Sequence, residues 1–363
     1  MSLTGKCKIA AYLYRGIEYY ILKEYNQSLA DFNVHLKTRP RSFEGLMYRA
    51  FIYKEKDEYD LAIADVTKAL KINRNDAIYY DFRGHLYESK GEYKLAIADF
   101  TKAIKIEPKE ASYYTCRGIV YEEKGNYDLA LSDFFKVLEI DPNNATHYHK
   151  RGHAYSNKGE YELAIANFTR AIEIEPNEAR HYICFAKMYE EKGDYDLAIS
   201  NFTKAIELEP DNAVYYDNRG HVYKEKKEYD LAIADFDNAI ELASNNKEYV
   251  FYMCRGRVYM DIAEYELAIA DFTKAIEIDK NESLYYGFRG LAYYTKSEYD
   301  LAITDFTKAL EIDSHNIELS TYVFRGFSYL DKGEYELAIK DFINAVEIEP
   351  NALKRIFDQL LLQ

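Results

Sequence analysis

In the segment THYHKRGHAY, residues 146–155, three histidines fall within seven positions, and His149 and His153 stand four residues apart. On a helix that spacing places two imidazoles on one face, about 5–6 Å apart at Cβ, as a pair of zinc ligands would need to be. A third ligand is required. Glu122 is the one acid whose position fits, while Arg180 and Lys187 in the following stretch would repel a cation. Whether the pair holds a metal depends on the elements that carry it.

Those elements repeat. Arg-Gly or a close variant recurs at Gly16, Ala50, Gly84, Gly118, Gly152, Ala186, Gly220, Gly256, Gly290 and Gly326, 34 residues apart with two intervals of 36. Tyrosine stands three and nine residues after every one of these anchors, and four before nine of them. The abundance of tyrosine, 38 residues against no tryptophan, therefore belongs to a repeated core. Alanine follows at twelve (Ser28 in the first copy), phenylalanine at sixteen (Val66 in the second), and all six prolines lie twenty-four after an anchor.

In GHLYESKGEYKLAIADFTKAIKIEP, residues 84–108, apolar residues recur at three and four spacing on both sides of Gly91, the period of two amphipathic helices joined by a tight turn. Proline marks where each unit ends. The small residues let the paired helices approach, and the rings fill the remaining space.

With its small anchor, tyrosines, alanine, phenylalanine and terminal proline in that order, the pattern resembles the tetratricopeptide repeat family. The resemblance implies an all-α fold, a right-handed α-solenoid superhelix of ten helix-turn-helix repeats over residues 9–350. Residues 1–8 would form an N-terminal lead. NALKRIFDQLLLQ, residues 351–363, places Leu353, Ile356, Phe357 and Leu360 on one face and is expected to form a C-terminal capping helix. Repeats seven and nine each hold two extra residues and carry Ser244 and Ser314 in place of proline, so a lengthened turn is expected there.

The resemblance also implies that the first helix of each repeat lines a concave groove. Its outward positions are polar in the middle of the chain: Asp81, His85 and Glu88; Thr146, His149, His153 and Ser156; Arg180, Ile183, Lys187 and Glu190; Asp217, His221 and Lys224. Towards the ends they are mostly apolar. Leu13, Ile17, Tyr20, Met47 and Phe51 stand at one end, and Met253, Arg257, Met260, Leu284, Leu291, Tyr294, Val323, Phe327 and Leu330 at the other. Exposed apolar patches of that kind mark contact surfaces. Neither the lysine and asparagine set of a chaperone-tail clamp nor a ladder of asparagines two before the anchor is present; only Asn218 fits the ladder.

Histidine follows the anchor in repeats three, five and seven (His85, His153, His221), and cysteine precedes it by two in repeats four, six and eight (Cys116, Cys184, Cys254). This alternation reads as duplication of a two-repeat unit. The cysteines are a whole repeat or more apart, beyond the roughly 7 Å a disulfide spans, and free thiols in a reducing cytoplasm are expected. His147 replaces a repeated tyrosine and reads as a packing residue. His85 and His221 lie two repeats from the 149/153 pair, too far to share an ion, so the pair reads as a pH-sensitive peptide contact; no metal or cofactor is expected.

Arginine precedes the anchor in nine repeats and gives way to Phe185 in the sixth, while the aspartate fifteen after the anchor becomes Asn167 and Asn201 in repeats five and six. A structural ladder of Arg–Asp pairs is expected, with both charges removed where it is interrupted.

A net charge of -15 disfavours nucleic acid, and no transmembrane run or secretory signal is recognised. The first 42 residues are net +4, which could favour weak head-to-tail self-association. No phosphate loop or zinc-protease helix is present, so no enzyme is expected. The sequence reads as a non-catalytic cytoplasmic scaffold holding a peptide or helical segment of a protein partner. A sensory regulator of a small signal and a self-associating structural solenoid are the alternatives.

Overall fold

A computed structural model describes residues 3–243, 248–312 and 319–349. Among these the chain is helical throughout, without strands, in pairs of an A helix and a B helix. The chain divides into two compact units, up to Pro176 and from Asn177.

In the first unit the pairs are α1 (Leu3–Ile21) with α2 (Tyr25–Thr38), α3 (Phe43–Glu55) with α4 (Tyr59–Ile72), α5 (Ala77–Ser89) with α6 (Tyr93–Ile106), α7 (Ala111–Glu123) with α8 (Tyr127–Ile140), and α9 (Ala145–Asn157) with α10 (Tyr161–Ile174). In the second they are α11 (Ala179–Glu191) with α12 (Tyr195–Leu208), α13 (Ala213–Glu225) with α14 (Tyr229–Leu242), α15 (Glu248–Asp261) with α16 (Tyr265–Ile278), α17 (Ser283–Thr295) with α18 (Tyr299–Ile312), and α19 (Leu319–Asp331) with α20 (Tyr335–Ile348). Within each unit an A helix packs on its own B helix, and that B helix on the next A helix. Each unit is thus an all-α repeat solenoid.

One boundary shifts. The expected lead largely belongs to α1, which starts at Leu3. The expected capping helix at 351–363 lies outside the described residues, as do Ser244 and Ser314 with their extra residues.

The anchor packs directly against the ring of the phenylalanine sixteen later. A Cβ added to Gly84 would lie 2.7 Å from the Phe100 ring, so glycine gives the closest fit between α5 and α6, although repeat six packs Ala186 with Phe202 in one buried cluster. Repeat two solves the same problem from the other side, with Ala50 against Val66, both fully buried. The turn after each A helix needs one residue in the left-handed region. Gly91 adopts φ 72° there, and Ala263 is forced into the same conformation at φ 62°.

The Arg–Asp pairs join the A and B helices of one repeat. Arg83 Nε and Nη2 donate to Asp99 at 2.6 and 2.8 Å, and Arg219 to Asp235 at 2.8 and 2.7 Å. The free Nη1 reaches back to the preceding B helix, as from Arg83 to Thr67 Oγ1 at 2.9 Å, so one guanidinium fastens three helices. Aromatic rings flank it: the Tyr80 and Tyr87 rings each lie 5.8 Å from Arg83.

The interruption removes both charges of one pair in repeat six, where Phe185 and Asn201 stand, and departs from the expectation only in repeat five. Because pairing is internal to a repeat, Asn167 faces Arg151, which remains charged and donates one hydrogen bond to it at 2.7 Å. The Arg151 guanidinium lies 4.5 Å from the Phe135 ring, and burial lowers its affinity for its proton. In repeat six Phe185 sits on Tyr189, and Asn201 donates to the Leu197 carbonyl at 2.8 Å.

Candidate functional site

The A helices carry the residues of interest, several of them resting on the phenylalanine of the paired B helix. In the first unit α5 presents Asp81, His85 and Glu88, and α7 lies beside it. The His85 ring stands edge-on over Phe100, 5.1 Å between centroids, which fixes its plane from beneath. Its Nδ1 is 2.8 Å from Glu88 Oε2, leaving Nε2 directed at Cys116 Sγ, 3.4 Å away on α7. Asp81 Oδ1 lies 3.8 Å from the same Nε2. That oxygen is buried and accepts no hydrogen bond, and burial raises the Asp81 carboxyl above its ordinary value. The contact with Cys116, then that with Glu88, pushes His85 up to about 10.

The second unit repeats the arrangement. His221 on α13 sits edge-on over Phe236 at 5.4 Å, with Nε2 3.4 Å from Cys254 Sγ on α15 and 3.6 Å from Asp217 Oδ1. Asp217 Oδ1 is again buried without a conventional hydrogen-bond partner. Lys224 stands where Glu88 does and pairs with Asp261 at 3.4 Å. Burial therefore prevails at His221, with Arg257 and Lys224 adding to it, and its proton affinity falls. Burial pushes the Cys254 thiol up to about 12. In each set the carboxylate oxygen, ring nitrogen and sulfur all lie within 4.8 Å of one another.

These sets unite residues that sequence spacing keeps 31 and 33 positions apart. The alternation of histidine in odd repeats with cysteine in even ones was the available signal; read as duplication alone, it conceals that successive A helices bring the two together.

On α9, His149 takes the place of Asp81. His149 and His153 approach with their Nε2 atoms 3.1 Å apart, both edge-on to Phe168. Glu122, the third ligand offered by the sequence, accepts a hydrogen bond from Asn157 Nδ2 at 2.7 Å instead. His147 packs half-buried in the tyrosine position, its Nε2 3.4 Å from Asp141.

The apolar positions correct the sequence reading. Met253 and Phe327, expected on the groove surface, are only 8% and 7% exposed, as core members with Ala275 and Ala345 respectively. Met47 and Val323 are buried as well. Leu291 and Tyr294 are half-buried, and Arg180, Lys187, Arg257 and Leu330 are exposed. Burial, with Asp331 nearby, pushes the Tyr294 hydroxyl up to about 12. An apolar recess of about 60 Å³ opens between α17 and α19, walled by Leu284, Phe288, Leu291, Phe306, Thr321 and Phe324. The Arg257 guanidinium lies 5.5 Å from the Phe288 ring. Among the described residues no helix is long and apolar enough to cross a membrane.

Three family models, two described as tetratricopeptide repeat and one as TPR repeat, match the chain. They cover residues 111–144, 145–178 and 283–316, 84–125 and 186–227, and 47–76, 213–246, 251–282 and 319–352, together well over half of it. Among solved structures, the C-terminal part of a TPR repeat-containing protein from Cytophaga hutchinsonii is 23% identical, covering 66% of this chain and 98% of its own, with a TM-score of 0.55. A tetratricopeptide repeat protein from Parabacteroides merdae is 22% identical over 69% of this chain and 98% of its own, with a TM-score of 0.54. No curated protein matches significantly.

Proposed function

Because the chain belongs to the tetratricopeptide repeat family, whose fold serves as a scaffold for protein–protein interaction, we propose that its A-helix faces hold a peptide or helical segment of a protein partner, without catalysis. The observation that carries this reading is the recess between α17 and α19. Apolar walls of Leu284, Phe288 and Leu291 stay partly open to solvent, and Arg257 is exposed beside them. An apolar side chain next to an acidic one fits that combination, since burying the first gains roughly 1.5–3 kcal/mol and the second meets a cation. Leu330, 40% exposed on α19, extends the apolar surface.

The polar faces of the first unit and of α11 and α13 supply the remaining contacts in this reading. The His149–His153 contact gives one of them a pH dependence, because two Nε2 atoms 3.1 Å apart share one hydrogen and cannot both carry one without separating. A net charge of -15 argues against nucleic acid as the partner, and Cys116, Cys184 and Cys254, none of them in a disulfide, suit a reducing compartment.

The test is capture of partners from the native lysate by the wild type and by Leu291→Asp, with helicity compared by circular dichroism. One specific protein retained by the wild type and lost by the folded variant is the expected result. Equal retention by both would remove the recess from the binding surface, and capture of no protein under any condition would remove the scaffold reading.

A further inference from the structure

We propose that each unit carries a transition-metal site of the zinc class, formed by Asp81, His85 and Cys116 in the first and by Asp217, His221 and Cys254 in the second. The proposal is independent of any partner in the groove.

The donor set is one carboxylate oxygen, one imidazole nitrogen and one sulfur, which suits Zn²⁺ or Co²⁺ and disfavours the oxygen-seeking Mg²⁺ and Ca²⁺. The spacing fits as well. In a tetrahedral zinc centre the bond lengths place neighbouring ligand atoms about 3.4–3.6 Å apart. Here sulfur and nitrogen are 3.4 Å apart in both sets, nitrogen and oxygen stand at 3.8 and 3.6 Å, slightly wide in the first set, and all three atoms lie within 4.8 Å of one another, close enough for small side-chain shifts to complete the shell. Three ligands leave a fourth position for water or a side chain of a bound molecule.

Two further observations point to a cation. First, Asp81 Oδ1 and Asp217 Oδ1 are buried without a conventional hydrogen-bond partner, Asp217 having only the Cys254 thiol beside it, a costly state for a carboxylate that coordination would relieve. The same oxygen is left over in both units, next to the same nitrogen. Second, the His85 ring is oriented as a metal ligand is: Nδ1 faces the Glu88 carboxylate at 2.8 Å, so the neutral ring keeps its proton there and turns Nε2 to the sulfur and Asp81. The thiol proton and the second proton of the His85 ring would leave to solvent as the metal binds.

The two sites differ in their surroundings. Glu88 supports His85, whereas Lys224 and Arg257 lie near His221 and Cys254, so the first site should bind more tightly. Each ion would tie two successive A helices together, α5 to α7 and α13 to α15, and stabilise the repeats it joins in proportion to its affinity.

The experiment is titration of the reduced, chelator-treated full chain with Co²⁺ and then Zn²⁺. Each of Cys116→Ser and Cys254→Ser is expected to remove one equivalent of bound metal and part of the thiolate-to-cobalt charge-transfer band, with far-ultraviolet circular dichroism unchanged. Glu88→Gln should weaken the tighter equivalent by about 10–100-fold and leave the weaker one as it was. Should either serine variant misfold, Asp81→Asn and Asp217→Asn report on the same sites without touching the sulfur, and each should weaken its own equivalent. A wild type without a cobalt–thiolate band, or a folded double serine variant that keeps the whole band, would overturn the proposal.

Discussion

Arg151 donates a single hydrogen bond to Asn167 at 2.7 Å, where Arg117 one repeat earlier makes two to the Asp133 carboxylate at 2.8 and 2.7 Å. A half-buried guanidinium therefore lacks the anion its sister repeats supply. Asn167→Asp should restore the bidentate pair. It would give up the hydrogen bond from Asn167 Nδ2 to the Leu163 carbonyl, so the expected net gain is about 1 kcal/mol. Thermal unfolding checks it, and a lower Tm for the variant would show that this repeat is adapted to a neutral partner.

Gly84 and Phe100 make a complementary prediction. Alanine favours a helix by about 1 kcal/mol over glycine, yet its Cβ would meet the Phe100 ring at 2.7 Å, an overpacking that costs about 1–3 kcal/mol. Repeat six already buries Ala186 with Phe202, so the loss on Gly84→Ala should fall at the low end of that range, and Phe100→Val should cost less in that background than in the wild type, because the pair then copies Ala50 and Val66. Denaturant unfolding of the four proteins measures the coupling; strict additivity would refute the link.

The interhelical turns offer a cleaner test of backbone strain. Ala263 holds φ 62°, a region that costs an L-residue about 1–2 kcal/mol. Ala263→Gly should raise Tm. Gly91 holds φ 72°, and a Cβ there would meet nothing within 4 Å, so the loss on Gly91→Ala should be purely conformational and of the same order. If both changes leave Tm unaltered, these turns are not strained.

His147 sets a pH dependence. Burial keeps its imidazole below the ordinary value even though Asp141 pulls the other way. As pH falls the unfolded chain takes up the proton first, near 6.5, so this contribution to stability is present at neutral pH and is lost on acidification. Tyrosine, the residue of sister repeats, does not titrate there. His147→Tyr should thus gain Tm relative to wild type on going from about pH 8 to about pH 5, and a gap that narrows instead would mean a histidine held charged in the fold.

Much of this molecule is legible without coordinates because each repeat answers to its own sequence. The anchor, the tyrosines and the phenylalanine recur in register, so helix positions, the all-α solenoid and the pairing of Arg83 with Asp99 follow from spacing along one chain segment. The turn residue is equally local.

The candidate sites are another matter. An outward position on an A helix can still be covered by the neighbouring repeat, and only packing decides it: Met253 and Phe327 are buried, while Leu291 stays partly open. Likewise Cys116 meets His85 because α5 and α7 lie side by side, a contact set by how helices stack rather than by periodicity. Sequence by itself determined the repeat and its internal bonds, since those are short-range consequences of residue spacing. Tertiary structure decided which side chains of successive repeats touch, since distance in space between stacked helices has no counterpart in distance along the chain.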